Sequence, residues 1–292
     1  MSLFYCYDCS MKVTLALAQI NTRLGDVPAN LDKHLALAKE AWSAGADILL
    51  FPELSLTGYV LQDLVPAVAR RPDPDDPVFA RLLHASNDLD LVVGFVEEDS
   101  RHRFYIASAY LSEGKIVHVH RKVHLPTYTL FDEKRYLAPG DGFRAFDTRF
   151  GRLGLLICED FWHLSSPYLL WLDGADLLLM SSASPGRGIT GEQIGSAETV
   201  ETVTKTYAQL LTVFVAHTNR VGFEDGLKFW GGATVYDPDG TLLAKGPYDD
   251  EALTLAELDL DQLRRTRSRL PLLRDERPEL VRRELERILR HG

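Results

Sequence analysis

Three residue types that together can cleave acyl bonds stand at the ends of three apolar runs. Glu53 follows DILLFP, Lys122 follows KIVHVHR, and Cys158 closes RLGLLIC. A thiol is a weak nucleophile until its proton leaves. A carboxylate nearby takes that proton and later returns it to a leaving amine. An ammonium beside the pair lowers the thiol pKa and stabilises the oxyanion of a tetrahedral intermediate. Brought into one crevice, the three suit acyl transfer from an amide through a thioester, which water then opens. Each also has a plainer reading. Cys158 alone is a small core hydrophobe, Glu53 a surface loop acid, and Lys122 a solvated edge residue. Two acids, Glu159 and Asp160, follow Cys158 at once, and that does not suit core filling. The carboxyl ends of strands are also where α/β folds place their ligand sites.

The elements that would position these residues read as mixed α/β. Met11–Gln19, Asp47–Phe51, Leu91–Glu97, Arg152–Cys158, Leu177–Met180, Val213–Thr218 and Leu253–Leu258 read as strands. Phe104–Leu111 and Lys115–His120 form a hairpin across Ser112-Glu113-Gly114, and an Asp237-Pro238-Asp239-Gly240 turn joins Gly232–Tyr236 to Thr241–Lys245. Helical spacing covers Asn30–Ala44, with Leu31, Leu35, Ala38 and Trp42 on one stripe, and about Gly195–Leu211. No repeat of fixed period and no Gly/Ser linker divides the chain. The proline-laden Arg70–Pro77 reads as a surface loop. Residues 1–10 read as an N-terminal extension, 11–260 as the main domain, and 261–292 as a basic tail. That tail carries ten arginines against six acids, and Leu280, Leu285, Ile288 and Leu289 give it an apolar stripe suited to packing on the body or on a partner subunit.

The chain has 292 residues and a formal net charge of −10, a field that disfavours nucleic acid and anionic membranes. No apolar run is long enough to span a bilayer, and MSLFYCYDCSMKV lacks the marks of a signal peptide, so a cytoplasmic location is expected. Cys6 and Cys9 form a lone C-x-x-C, whereas a zinc site would need a second pair. His118 and His120, on one strand face, with His124 after them, raise a rival metal-dependent amidohydrolase. A catalytic metal needs a third ligand, and His84, His163 and His217 supply no second recognisable pair. Neither a metal nor a cofactor is expected.

The segments FPELSLTGY (51–59), RKVHLPTYTLFDEKRYLAPGD (121–141), LGLLICEDFW (153–162) and TNRVGFEDGLKFWGGATVYDPDG (218–240) resemble the nitrilase superfamily, the carbon–nitrogen hydrolases, over roughly residues 12–260. The resemblance implies a four-layer αββα sandwich, commonly paired into dimers or larger assemblies. It implies Glu53 as general base and acid, Lys122 as oxyanion ligand and Cys158 as nucleophile. Glu133 would position substrate and Lys122, and a backbone N–H from Glu159 or Asp160 would complete the oxyanion hole.

The wording is most similar to the glutaminase domain of glutamine-dependent NAD synthetase. There, tyrosines stand six residues after the Glu and the Lys, as Tyr59 and Tyr128 do here. SSASPGRG (181–188) resembles the stretch that meets the amino-acid end of glutamine, and its Arg187 could pair with a carboxylate. No Gly-rich phosphate loop is visible. Two readings follow: a free-standing amidase acting on a small carboxamide, which is preferred, or a separate glutaminase subunit passing ammonia to a synthetase partner. A non-catalytic scaffold on the same fold is a further alternative.

Overall fold

The computed structural model describes residues 11–190 and 193–290, so the Cys6/Cys9 pair lies outside the described residues. Two six-stranded sheets carry the fold. One runs, edge to edge, Ala252–Asp259, Lys12–Gln19, Ile48–Leu50, Asp90–Glu98, Phe104–Ser112 and Lys115–Arg121. The other runs Leu242–Lys245, Thr234–Tyr236, Phe214–Asn219, Leu177–Ser182, Gly151–Ile157 and Phe146–Thr148. Each has three parallel strands at its centre and antiparallel strands outside them.

Strand alternation explains why the runs are apolar on both faces. Along Lys12–Gln19, Leu15 and Leu17 enter the core between the sheets, while Ala16 and Ala18 meet the helices outside. In the second sheet Leu177 and Leu179 face inward, and Leu178 and Met180 pack outward. A strand covered on both faces loses the polar alternation of a half-exposed one. Helices Val27–Ser43 and Pro77–Ala85 cover the first sheet, and Ser165–Leu172 and Gly195–Leu211 cover the second. The four layers are those of the expected αββα sandwich.

Several boundaries differ from the sequence reading. The first helix begins at Val27, three residues early, because the Asp26 side chain accepts from Ala29 N and Pro28 fills the opening turn. The Arg70–Pro77 loop ends in another helix start: Asp76 caps Val78 N and Phe79 N, and Pro77 opens Pro77–Ala85. The strand before the cysteine stops at Ile157, and Cys158 opens a short 3₁₀ turn. In the tail, Leu263 is buried and Arg267 pairs with Asp176 at 2.7 Å, but helix Pro278–Leu289 buries no residue. No helix among the described residues is long and apolar enough to cross a membrane.

Candidate active site

The carboxyl ends of the strands bring Glu53, Lys122 and Cys158 to one edge of the sandwich. Glu53 lies just past Ile48–Leu50, in a loop that presses against the neighbouring strand at Gly94. A Cβ on Gly94 would stand 2.4 Å from Pro52 O, so only glycine admits the loop there. Lys122 leaves Lys115–Arg121, two turns of chain beyond Asp90–Glu98 and running the same way. Cys158 comes from the other sheet with a φ of 46°, a left-handed conformation costly for a residue with a side chain and typical of functional turns.

Lys122 is fully buried, and its Nζ donates to Glu53 Oε1 and to Glu133 Oε1, both at 2.8 Å. Burial alone would strip its proton; the two carboxylates outweigh burial and hold it as an ammonium. Tyr59 donates its hydroxyl to Glu133 Oε1 at 2.6 Å. Burial, reinforced by Glu53 and opposed by Lys122, raises the Glu133 pKa to about 7. Glu133 Oε2 is buried and has no hydrogen-bond partner among the described residues. The second oxygen of Glu53 accepts from Ala183 N at 2.8 Å, which draws the SSASPGRG segment into the site.

Cys158 departs from the sequence expectation in one respect. Burial and Glu53 push its thiol well above the ordinary range, and the opposing pull of Lys122 does not reverse this. At rest the group is a thiol rather than a thiolate, so attack requires a base to take the proton as the bond forms.

The remaining candidates lie around this group. Tyr128 is exposed and donates to both oxygens of Glu159, at 3.0 and 2.9 Å. The Arg187 guanidinium stands 5.3 Å from the Phe131 ring and makes no ion pair among the described residues. The Asp160 side chain does not face the site: its carboxylate is buried and bonded entirely to protein. The histidines of the metal reading are otherwise engaged. His118 stacks on Phe146 at 4.4 Å, His120 bonds Asp160, and His124 stacks on His163 at 3.6 Å.

Two supports were invisible in the sequence. Glu224 accepts from Tyr59 N and Val60 N, both at 2.7 Å, and pairs with buried Arg220 at 2.6 Å, fixing the loop that aims Tyr59 at Glu133. Gly58, with φ +80°, passes so close that a Cβ would lie 2.7 Å from Glu224 Oε2. His34 supports the loop beyond Glu53. Its Nδ1 bonds Asn30 O at 2.7 Å, its Nε2 meets Ser55 Oγ at 2.9 Å, and its ring stacks on Phe51.

Burial lowers the His34 pKa to about 4 from an ordinary 6.5. A depressed folded pKa gives stability that is present above 6.5 and lost as pH falls through 4, because the unfolded chain takes up the proton first. The stability advantage of the wild type over His34→Gln should therefore shrink between pH 6.5 and 4 by up to about 3 kcal/mol. Urea unfolding of both proteins at several pH values checks this; a pH-independent difference would refute it.

Comparison with known proteins places the chain. It is 32% identical over 253 residues to a glutamine-dependent NAD(+) synthetase from Acinetobacter baylyi, covering 86% of this chain and 45% of that protein. The chain thus spans about half the length of such relatives. It is 28% identical to the N-carbamoylputrescine amidase of Arabidopsis thaliana, covering 87% of this chain and 89% of that one. It also superposes, with a TM-score of 0.77 and 26% identity, on a variant of an amidase from Nesterenkonia sp. whose active-site cysteine carries the covalently added acetamide moiety of fluoroacetamide; the match covers 93% of this chain and 96% of that one. The carbon–nitrogen hydrolase family model matches residues 14–268, and this chain belongs to that family, within the nitrilase superfamily.

Proposed function

We propose that the chain hydrolyses the C–N bond of a small carboxamide through a thioester on Cys158. Glu53 takes the Sγ proton as sulfur attacks the carbonyl carbon. Lys122 Nζ and a backbone N–H of Glu159 or Asp160 stabilise the oxyanion. The intermediate collapses as Glu53 returns the proton to the leaving nitrogen, releasing ammonia or an amine. Glu53 then deprotonates water, which opens the thioester and frees the acid. No metal or cofactor enters these steps.

The observation that carries this reading is the buried convergence of Lys122 Nζ on Glu53 Oε1 and Glu133 Oε1, at the edge where Cys158 stands. Similarity to amidases favours an amide over a nitrile or an ester. The charged groups around Cys158 narrow the class. Glu159 with Tyr128 suits an ammonium, and Arg187 beside Phe131 suits a carboxylate, so an amide with a zwitterionic end fits both. This favours the second reading, a glutaminase subunit that passes ammonia to a synthetase partner, and similarity to part of the NAD synthetases supports it.

An ammonia-release assay over glutamine, other ω-amides, N-carbamoyl amines and simple aliphatic amides tests the proposal. Release from primary amides, with none from the matching nitriles, is expected. Silence across the panel would overturn it. A higher kcat/KM for glutamine than for aliphatic amides would select the glutaminase reading.

The proposed assembly is a homodimer or larger oligomer in the cytoplasm. Leu164, Leu169 and Leu210 are exposed near the helices over the second sheet, and Leu285, Ile288 and Leu289 are exposed on helix Pro278–Leu289, which is suited to packing on a partner subunit.

A further inference from the structure

One buried carboxylate ties together the segments that carry Lys122 and Cys158. Asp160 Oδ1 accepts from Val123 N and His124 N, each at 3.0 Å, the two amides directly after Lys122. Oδ2 accepts from Ile157 N at 3.1 Å, the amide just before Cys158, and from His120 Nε2 at 2.9 Å, two residues before Lys122. All four acceptor positions of the carboxylate are thus filled. Asp160 is fully buried and His120 is 4% exposed, so the bonds are shielded from competing water. The strap joins the two sheets, since His120 belongs to Lys115–Arg121 and Ile157 to Gly151–Ile157.

We propose that His120 and Asp160 are positioning residues that set the Lys122 ammonium against the Cys158 sulfur for the amide-cleaving step. The inference rests on the mechanism proposed above. Neither side chain touches the reacting atoms; the strap acts through the segments it holds. An oxyanion donor works only within about 2.7–3.1 Å of the oxygen it stabilises, and a displacement of about 1 Å can cost roughly 100-fold in rate. A carboxylate is required because it alone accepts from four donors converging on one point; an asparagine would turn an N–H toward one pair of them. The His120 ring packs 5.6 Å from Phe143, so its size can be kept while its donor is removed.

Three variants test the strap: Asp160→Asn, His120→Phe and His120→Gln. Phenylalanine keeps the packing and deletes the donor; glutamine restores an N–H near Nε2. The readouts are kcat and KM on the best substrate of the amide panel, and the rate of Cys158 carbamidomethylation by iodoacetamide, followed by peptide mass spectrometry. Asp160→Asn and His120→Phe should lower kcat about 10-fold or more with little change in KM, and His120→Gln should recover most of the loss. Unchanged kcat in folded Asp160→Asn and His120→Phe, or equal losses in the phenylalanine and glutamine variants, would overturn the strap. If Asp160→Asn does not fold, the two His120 variants decide. If the wild type cleaves no amide, the function reading fails, and alkylation judges the strap alone. It should slow severalfold in His120→Phe and recover in His120→Gln; equal rates would refute it.

Discussion

Cys158→Ala should abolish ammonia release while leaving the sandwich folded. The side chain is small and 8% exposed, so its loss opens little cavity and should change stability by about 1 kcal/mol or less. The chemical loss is total, because no other group takes the place of the sulfur. Glu53 and Lys122 are held by Ala183 N, Glu133 and each other, so a binding-competent site remains. Amide turnover assays with peptide-mapped alkylation check this, mapping being needed to tell Cys158 from Cys6 and Cys9. Normal turnover in the variant would end the thioester mechanism.

Lys122→Ala should act on rate and stability together. Removing the ammonium deletes the proposed oxyanion ligand, for an expected loss of about 100-fold or more in kcat/KM. It also leaves Glu53 and Glu133 buried beside each other without a counter-ion, at a cost of about 3–5 kcal/mol. The double variant Lys122→Ala with Glu133→Gln separates the two effects, because it lowers the buried negative charge without restoring the donor. Urea unfolding should show partial recovery of stability, and the assay should show no recovery of rate. A change of only a few-fold in the single variant would make Lys122 peripheral to the chemistry.

What the sequence revealed followed the range of the interactions. Glu53, Lys122 and Cys158 were legible because each sits at the end of an apolar run, and Glu133 and Tyr59 because their motifs resemble a family. The Glu113-Gly114 turn was legible from its residues, and both adopt positive φ. The Asp76-Pro77 helix start carries an equally local signal, an N-cap followed by proline, but the surrounding prolines and acids read as loop. Ser165–Leu172 was missed because its eight residues open on two serines and a proline and then run apolar without a clear period. Glu224 meets Tyr59 across 165 positions, and Ala183 meets Glu53 across 130; no local pattern encodes such pairs. Asp160 was read through its backbone N–H, while its side chain has a different office that only the packed core displays. The raised thiol pKa is likewise a property of burial, which three separate motifs do not reveal.

The placement of the reactive groups on different sheets has a consequence for when the enzyme becomes active. Glu53 and Lys122 come from the first sheet, and Cys158 and the Ala183 amide from the second. A growing or half-folded chain that has formed only one sheet would hold either the proposed base and cation without the proposed nucleophile, or the thiol without its proposed base. On the proposed mechanism, amide cleavage would begin only when the two halves have closed on each other, and local opening of that edge would switch it off. Turnover would in this sense report on completed folding, and a partly folded copy would be chemically quiet toward the amides around it.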